Sequence, residues 1–229
     1  MKTIGLIGGM SWESTIPYYR TINETVRELR GGLHSAKIVM VSVDFDEIER
    51  LQRQGDWDTA GAMLADCGRR LALAGADFLV LCTNTMHKVA PAIEATAGIA
   101  LLHIADPTAQ EIRAAGFARV GLLGIRFTME QDFYRARLEG HGLQVLTPDV
   151  AGRELVHRVI YEELCQGSVL DSSRDAYRAV IRQLADAGAQ AIVFGCTEIG
   201  LLVTQADSPV PVFDTTALHA RKAAEYALR

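Results

Sequence analysis

The sequence predicts an α/β protein of two pseudo-symmetric lobes, each a parallel sheet flanked by helices, with a ligand site in the cleft between the lobes. Three observations predict it. Short β-branched runs alternate with amphipathic helical stretches, the pattern of parallel sheets covered by helices. The landmarks of the first half recur in the same order in the second. In both halves an apolar strand ends in a cysteine followed by a threonine, at the strand end where open α/β sheets place their ligands.

The first strand is Ile4-Gly5-Leu6-Ile7-Gly8, and the helix after it carries Tyr19-Arg20. Lys37 to Val43 is a continuous β-branched run and reads as a strand buried on both faces. Asp58 to Ala74 places Met63, Leu64, Cys67, Leu71 and Ala74 on one helical face. Ala74-Gly75-Ala76-Asp77 then turns into Phe78-Leu79-Val80-Leu81-Cys82-Thr83-Asn84-Thr85. Ala105-Asp106-Pro107-Thr108-Ala109 is the last landmark of the first half.

The second half repeats the order. Val120-Gly121-Leu122-Leu123-Gly124 matches the first strand, and Tyr134-Arg135 follows on its helix. Asp171 to Ala187 is helical, with Tyr177, Val180, Ile181 and Leu184 on one face and Asp171, Ser172 and Ser173 as capping oxygens. Ala187-Gly188-Ala189-Gln190 leads into Ile192-Val193-Phe194-Gly195-Cys196-Thr197-Glu198, and Phe213-Asp214-Thr215-Thr216-Ala217 closes the series. The period is far too long for a solenoid, so this is duplication of a lobe. The expected lobes are residues 1–107, with 212–229 packing back on them, and residues 108–211.

Composition narrows the classes. The chain of 229 residues is 49% hydrophobic and 22% charged, ordinary globular usage with enough length for a sizeable core. A net charge of −5 without a basic block excludes nucleic acid and anionic membranes as expected partners. Apolar runs are strand-length, and Met1-Lys2-Thr3-Ile4 enters a strand without a signal-peptide layout, so a cytoplasmic protein with four reduced cysteines is expected.

Two thiols on one ligand suit proton transfer at a carbon. An α-proton of an amino acid is a very weak acid, and inverting that centre without a cofactor needs a base on one face and an acid on the other. Thiols titrate near pH 8.5, within reach of neutrality, and a hydroxyl or backbone N–H beside the sulfur lowers that further. Desolvation opposes it, and a substrate ammonium helps decide the balance. A lone cysteine ending an apolar strand usually reads as a small core residue. A duplicated Cys-Thr step reads as chemistry, while Cys67 on its apolar helix face keeps the structural reading.

Other constellations are weaker. Cys82, His87 and His103 match no closed zinc spacing, so no metal is expected. Lys88, the lysine near the motifs, reads as solvated and not as a Schiff-base lysine. Gly5-x-x-Gly8-Gly9 lacks the dinucleotide spacing. Asp106 and Asp214 recur by duplication and suit capping or support.

Three runs carry a resemblance: Gly8-Gly9-Met10-Ser11-Trp12-Glu13-Ser14-Thr15, Cys82-Thr83-Asn84-Thr85-Met86-His87 and Gly195-Cys196-Thr197-Glu198. Together they resemble the aspartate/glutamate racemase family over essentially the whole chain, with bacterial aspartate/glutamate-specific or broad-specificity amino-acid racemases the most similar members. The resemblance implies a cofactor-independent racemase with Cys82 and Cys196 as the two catalytic acid/bases, and a homodimer. It also implies substrate contacts from Met10, Thr83, Asn84, Thr85, Thr197 and Glu198, with Gln52, in the run from Asp44 to Gln52, as a further candidate. Many aspartate-selective members carry a lysine where this chain has Cys165. A thiol binds a carboxylate far less well than an ammonium, which favours a broader amino-acid range. The alternatives are a related cysteine-dependent isomerase, such as a cis–trans diacid isomerase or hydantoin racemase, and a non-catalytic amino-acid-binding protein. The presence of both cysteines argues against the single-cysteine decarboxylases of the same scaffold.

Overall fold

Two four-stranded, all-parallel sheets form, with strand orders β2-β1-β3-β4 and β6-β5-β7-β8. The computed structural model describes residues 1–229, which divide into a unit of Met1–Ile104 with Thr216–Arg229 and a unit of Ala105–Thr215.

The first unit runs β1 (Thr3–Gly8), α1 (Trp12–Arg30), β2 (Lys37–Ser42), α2 (Phe45–Gln54), α3 (Trp57–Leu73), β3 (Phe78–Leu81), α4 (Ala90–Ala97) and β4 (Leu101–Leu102). Ile4 and Ile7 pair with Phe78 and Leu81 on one side and with Ile38 and Val41 on the other. β1 and β3 therefore lie central, buried from Ile4 to Gly8 and from Phe78 to Leu81. β2 differs from its expected burial on both faces. It is the edge strand, with β1 as its single neighbour, and its residues alternate between exposed and half-buried, Met40 at 49%. The α3 face is as patterned through Leu64, Cys67 and Leu71, whereas Ala74 caps the helix and is exposed.

The second unit runs α5 (Ala105–Ala114), β5 (Arg119–Leu123), α6 (Arg126–Glu130), α7 (Asp132–Gly140), β6 (Gln144–Leu146), α8 (Val150–Glu162), α9 (Asp171–Asp186), β7 (Ala191–Phe194), α10 (Ile199–Leu202) and β8 (Val212–Asp214). Tyr177, Val180, Ile181 and Leu184 of α9 are buried against β5 and β7 residues such as Leu123, Ile192 and Phe194. The cap of α9 departs from expectation. Leu170 occupies the N-cap without a side-chain bond, Asp171 pairs with Arg174, and the Ser173 hydroxyl donates to Glu163 Oε2 at 2.5 Å.

From β8 the chain continues into α11 (Thr215–Ala227). Its Ala220, Ala223, Ala224 and Ala227 are fully buried against Ile4, Leu6, Tyr18, Phe78 and Val80 of the first unit. Small side chains let that helix lie close on the sheet.

The duplication is in register one residue away from the tyrosine pair chosen by sequence. Tyr18 and Tyr134 are both fully buried and stand at the same spacing as Ile4 and Val120, while Tyr19 is 57% exposed. A helix places neighbouring residues about 100° apart, so one step separates core from solvent.

Candidate active site

In an open parallel sheet of this order the strand sequence reverses between the first and third strands, and the loops leaving their carboxyl ends diverge to leave a crevice. β1 and β3 form that switch point in the first unit, and β5 and β7 in the second. The segments leaving β3 and β7 begin with Cys82 and, after Gly195, with Cys196.

After β1, Gly9 takes φ +93°, and a Cβ there would stand 2.3 Å from the Val43 carbonyl oxygen. Only glycine admits that approach. The Thr15 hydroxyl locks the loop by accepting from Gly9 N–H and donating to the Ser11 carbonyl, each at 2.9 Å. Met10 is buried in a cluster with Ile48, Leu51 and Met86, so its side chain serves the core beside the loop.

Cys82 is fully buried. Its N–H bonds the Ile7 carbonyl at 2.9 Å, and its sulfur lies 3.9 Å from the Val80 carbonyl within the cluster of Ile4, Leu6, Tyr18 and Val80. Burial pushes this thiol's pKa far above the ordinary range. Thr83, Asn84 and Thr85 follow, all buried. The chain then forms a 3-10 turn from Thr85 to Val89 that passes into α4, and Thr83 N–H is already committed to the Leu81 carbonyl at 2.9 Å. Pro91, at the second position of α4, lacks the N–H that would carry an α-helical ladder back into this turn.

His87 braces the turn. Its Nε2 accepts from Ile104 N–H at 3.2 Å, which assigns the proton to Nδ1, and Nδ1–H donates to the Thr83 carbonyl at 2.7 Å. Its ring meets that of His103 at a tilt, with centroids 4.5 Å apart, and that of His219 edge to face at 5.8 Å. His219 in turn accepts from the Tyr18 hydroxyl at 2.9 Å and donates to the Leu102 carbonyl at 2.8 Å. The sequence offered His87 as a rejected metal ligand and as the last residue of a motif run, and its spacing to Thr83, one helical turn, was the missed signal. Gln52 is also buried, at 3% exposure, and its amide donates to Met86 Sδ at 2.9 Å. Lys88 is half-buried, not solvated: its ammonium sits 3.9 Å over the Trp57 ring, and burial lowers its pKa.

In the second unit Gly195 precedes the cysteine. Its N–H meets the Leu123 carbonyl at 2.6 Å, and a Cβ there would stand 2.7 Å from Leu122 Cδ1, so glycine lets the strand end close on β5. Cys196 is half-buried. Its thiol donates to Glu198 Oε2 at 2.9 Å, and the Thr197 hydroxyl donates to the same oxygen at 2.9 Å. Glu198 is 2% exposed. Burial, and then the Glu198 carboxylate and Cys165, push the Cys196 pKa well up, against the Glu198 backbone N–H, which favours the thiolate. Cys165 lies in the 3-10 turn from Leu164 to Gln166 after α8 and packs on the same cluster as Cys196. Thus Glu198, Thr197, Cys165 and Cys196 gather at one strand end, while Cys82, Thr83, Asn84 and Thr85 share the other. Met10 and Gln52 meet Met86, just beyond Thr85, through the core.

The duplicated aspartates do support work. Asp106 accepts two hydrogen bonds from Arg137 at 2.7 Å and one from His141 at 2.9 Å, and Asp214 Oδ2 closes over Gly200. Two open grooves of about 610 and 360 Å³ follow the outer face of α1, and none of the candidate site residues lines either.

The family described as Asp/Glu/Hydantoin racemase matches residues 7–223. The chain belongs to this family. It is similar over its full length to a solved candidate Asp/Glu racemase from Yersinia pestis, with 61% identity, complete coverage of both chains and a TM-score of 0.93. An aspartate racemase homologue from Pyrococcus horikoshii OT3 is 33% identical, again with both chains fully covered, at a TM-score of 0.86. The broad specificity amino-acid racemase RacX of Bacillus subtilis (strain 168) is 23% identical over 219 residues, 95% of each chain. These likenesses support an amino-acid racemase, an isomerase on the two-sheet α/β fold of the family. No helix is long and apolar enough to cross a membrane.

Proposed function

We propose that this racemase-family protein interconverts L- and D-amino acids without pyridoxal phosphate, by a two-base mechanism in which Cys82 and Cys196 act on opposite faces of the α-carbon. The observation that carries this reading is the recurrence of a thiol at the carboxyl end of the third-position strand in two sheets of identical strand order. One thiolate removes the α-proton, and the other thiol delivers a proton to the opposite face. The roles exchange with the handedness of the substrate. The Thr83 and Thr85 hydroxyls, the Asn84 amide and the main chain at Thr197 are the donors suited to a substrate carboxylate, since Thr83 N–H and the Thr197 hydroxyl are already engaged. Met10 and Gln52 shape the floor beneath the first of these loops through Met86.

Burial raises the pKa of both thiols, so the bound substrate has to provide part of the activation. Its ammonium group, brought beside the sulfurs, favours a thiolate. Cys82 is closed to solvent, and substrate reaches its sulfur only when the covering side chains move. A reducing compartment such as the cytoplasm suits the chemistry, since a thiol and a thiolate work as acid and base only while both cysteines stay reduced. A homodimer is the assembly this reading carries with it.

The substrate class is aspartate, glutamate or a broader amino-acid range, with Cys165 beside Cys196 as the selectivity position. A Cys165→Lys variant is expected to shift preference toward aspartate over neutral amino acids. An unchanged ratio of the two kcat/KM values would remove Cys165 from that role. The reading as a whole is tested in D₂O with single L-amino acids and no added cofactor. Deuterium uptake at Cα and appearance of the D-isomer are expected, and absence of both across acidic, polar and aliphatic substrates would refute it.

A further inference from the structure

The two candidate thiols do not sit in equivalent surroundings. The Cys82 sulfur lies in an apolar cluster, with a main-chain carbonyl at 3.9 Å as its hydrogen-bond acceptor. The Cys196 sulfur donates at 2.9 Å to a carboxylate oxygen that also accepts from the Thr197 hydroxyl at 2.9 Å. That carboxylate is buried at 2% exposure, so water screens it little. It also has no geometry for holding a substrate carboxylate, since two like charges sharing one buried oxygen would repel. Its part in the site is therefore played through the sulfur.

From this geometry we infer that Glu198 is a positioning residue that keeps the proton on Cys196, making Cys196 the proton-donating thiol of the resting site and leaving the base's role to Cys82. The inference rests on the racemase reading. A carboxylate one hydrogen bond from a sulfur stabilises S–H and destabilises S⁻, because the thiolate would face a second anion across the same contact. The direction of the Cys196 titration agrees, since burial first and then the Glu198 carboxylate raise its pKa.

The step balances. With the Cys82 thiolate as base, the Cα–H bond breaks and an S–H bond forms on Cys82. The electron pair left on the α-carbon then takes the proton of Cys196, breaking its S–H bond, and the negative charge ends on the Cys196 sulfur. Net charge is unchanged, and no oxidant or cofactor is consumed. The charge now lies beside Glu198, so this enzyme form is the less stable of the two and returns its proton readily. The opposite hand of substrate binds to that form and runs the same steps in reverse.

Carboxylate and thiol are separated by site-resolved alkylation of the full-length protein with iodoacetamide, read by mass spectrometry from pH 6 to 10, in wild type, Glu198→Gln and Glu198→Asp. In Glu198→Gln the Cys196 rate at neutral pH is expected to rise about tenfold for each pKa unit released. Cys67 and Cys82 should alkylate as in the wild type, which reports an intact fold. Glu198→Asp keeps the charge and should return the Cys196 curve toward the wild-type position. Racemisation supplies the second readout. The ratio of kcat for the two hands should change in Glu198→Gln by the same order, while the two kcat/KM values stay equal, as an equilibrium constant of one demands.

An unmoved Cys196 curve in Glu198→Gln would overturn the assignment. A slower Cys196 would overturn it too, because the carboxylate would then be activating the thiol. Wild-type protein that exchanges no α-proton with any amino acid would instead remove the reaction, and the donor role with it. In that case the alkylation curves stand as a property of the Cys196–Glu198 pair alone.

Discussion

The strand ends that deliver Cys82 and Cys196 share sheet position, strand order and the Thr that follows, yet they differ in what surrounds the sulfur. Cys82 is sealed in an apolar cluster and raised by burial alone. Cys196 is half-buried, bonded to Glu198 and close to a second thiol at Cys165. Duplication has kept the backbone that places a thiol and let the electrostatics diverge. The proposed two-base mechanism calls for that combination, because two faces of one carbon need equivalent reach and an acid has to stand opposite a base.

The comparison breaks most sharply by deleting each sulfur. Cys82→Ala and Cys196→Ala should each cost about 10²–10⁴-fold in racemisation, the span of an acid–base group. Chiral chromatography of the product checks it, and a variant retaining wild-type turnover would show that the two ends are not functional counterparts. Next in size is pH. A raised thiol pKa means less thiolate at a given pH, so kcat/KM should climb by about tenfold per unit through neutrality and keep rising past the ordinary thiol value of about 8.5. A bell-shaped profile centred near pH 6 would place the working groups elsewhere.

Smaller effects test the frame around each end. Gly195→Ala inserts a methyl against Leu122 Cδ1 and the Leu123 carbonyl and should cost about 1–3 kcal/mol, read by urea denaturation. The two buried tyrosines should separate by about 1 kcal/mol. Tyr18→Phe loses the bond to His219 and is destabilised, whereas the Tyr134 hydroxyl is buried with no hydrogen-bond partner, so Tyr134→Phe should be neutral or stabilising. Equal losses at both would erase that asymmetry between the units.

Much of this was legible in the sequence because it depends on chain order. The alternation of strands and helices, the two Cys-Thr steps and the repeat of Ile4–Gly8 as Val120–Gly124 are linear patterns, and the sheets follow them. The failures concern neighbours that a linear pattern does not name. The apolar run of β2 says nothing about whether one strand or two will flank it, and it is an edge. Tyr19 and Tyr18 differ by one step around a helix, and only packing decides which is core. Glu198 was legible as part of a motif, but the partner its carboxylate meets, here the Cys196 thiol, is a choice of rotamer. Gln52 followed the same logic, a polar residue whose burial depends on Met86 above it.

The alanine stripe of α11 sets the order in which the halves can be completed. Residues 105–215 form one uninterrupted unit, so its core is available for packing once Thr215 has been synthesised. The other unit waits, because Ala220, Ala223, Ala224 and Ala227 are needed to cover β1 and β3, and Ala227 takes the hydrogen bond of Lys2 N–H at 2.8 Å. Closing a loop of that length adds little to the equilibrium cost, since the entropy grows only with the logarithm of length, but it delays the contacts that reward it. The unit that begins first on the ribosome is thus the one that finishes last.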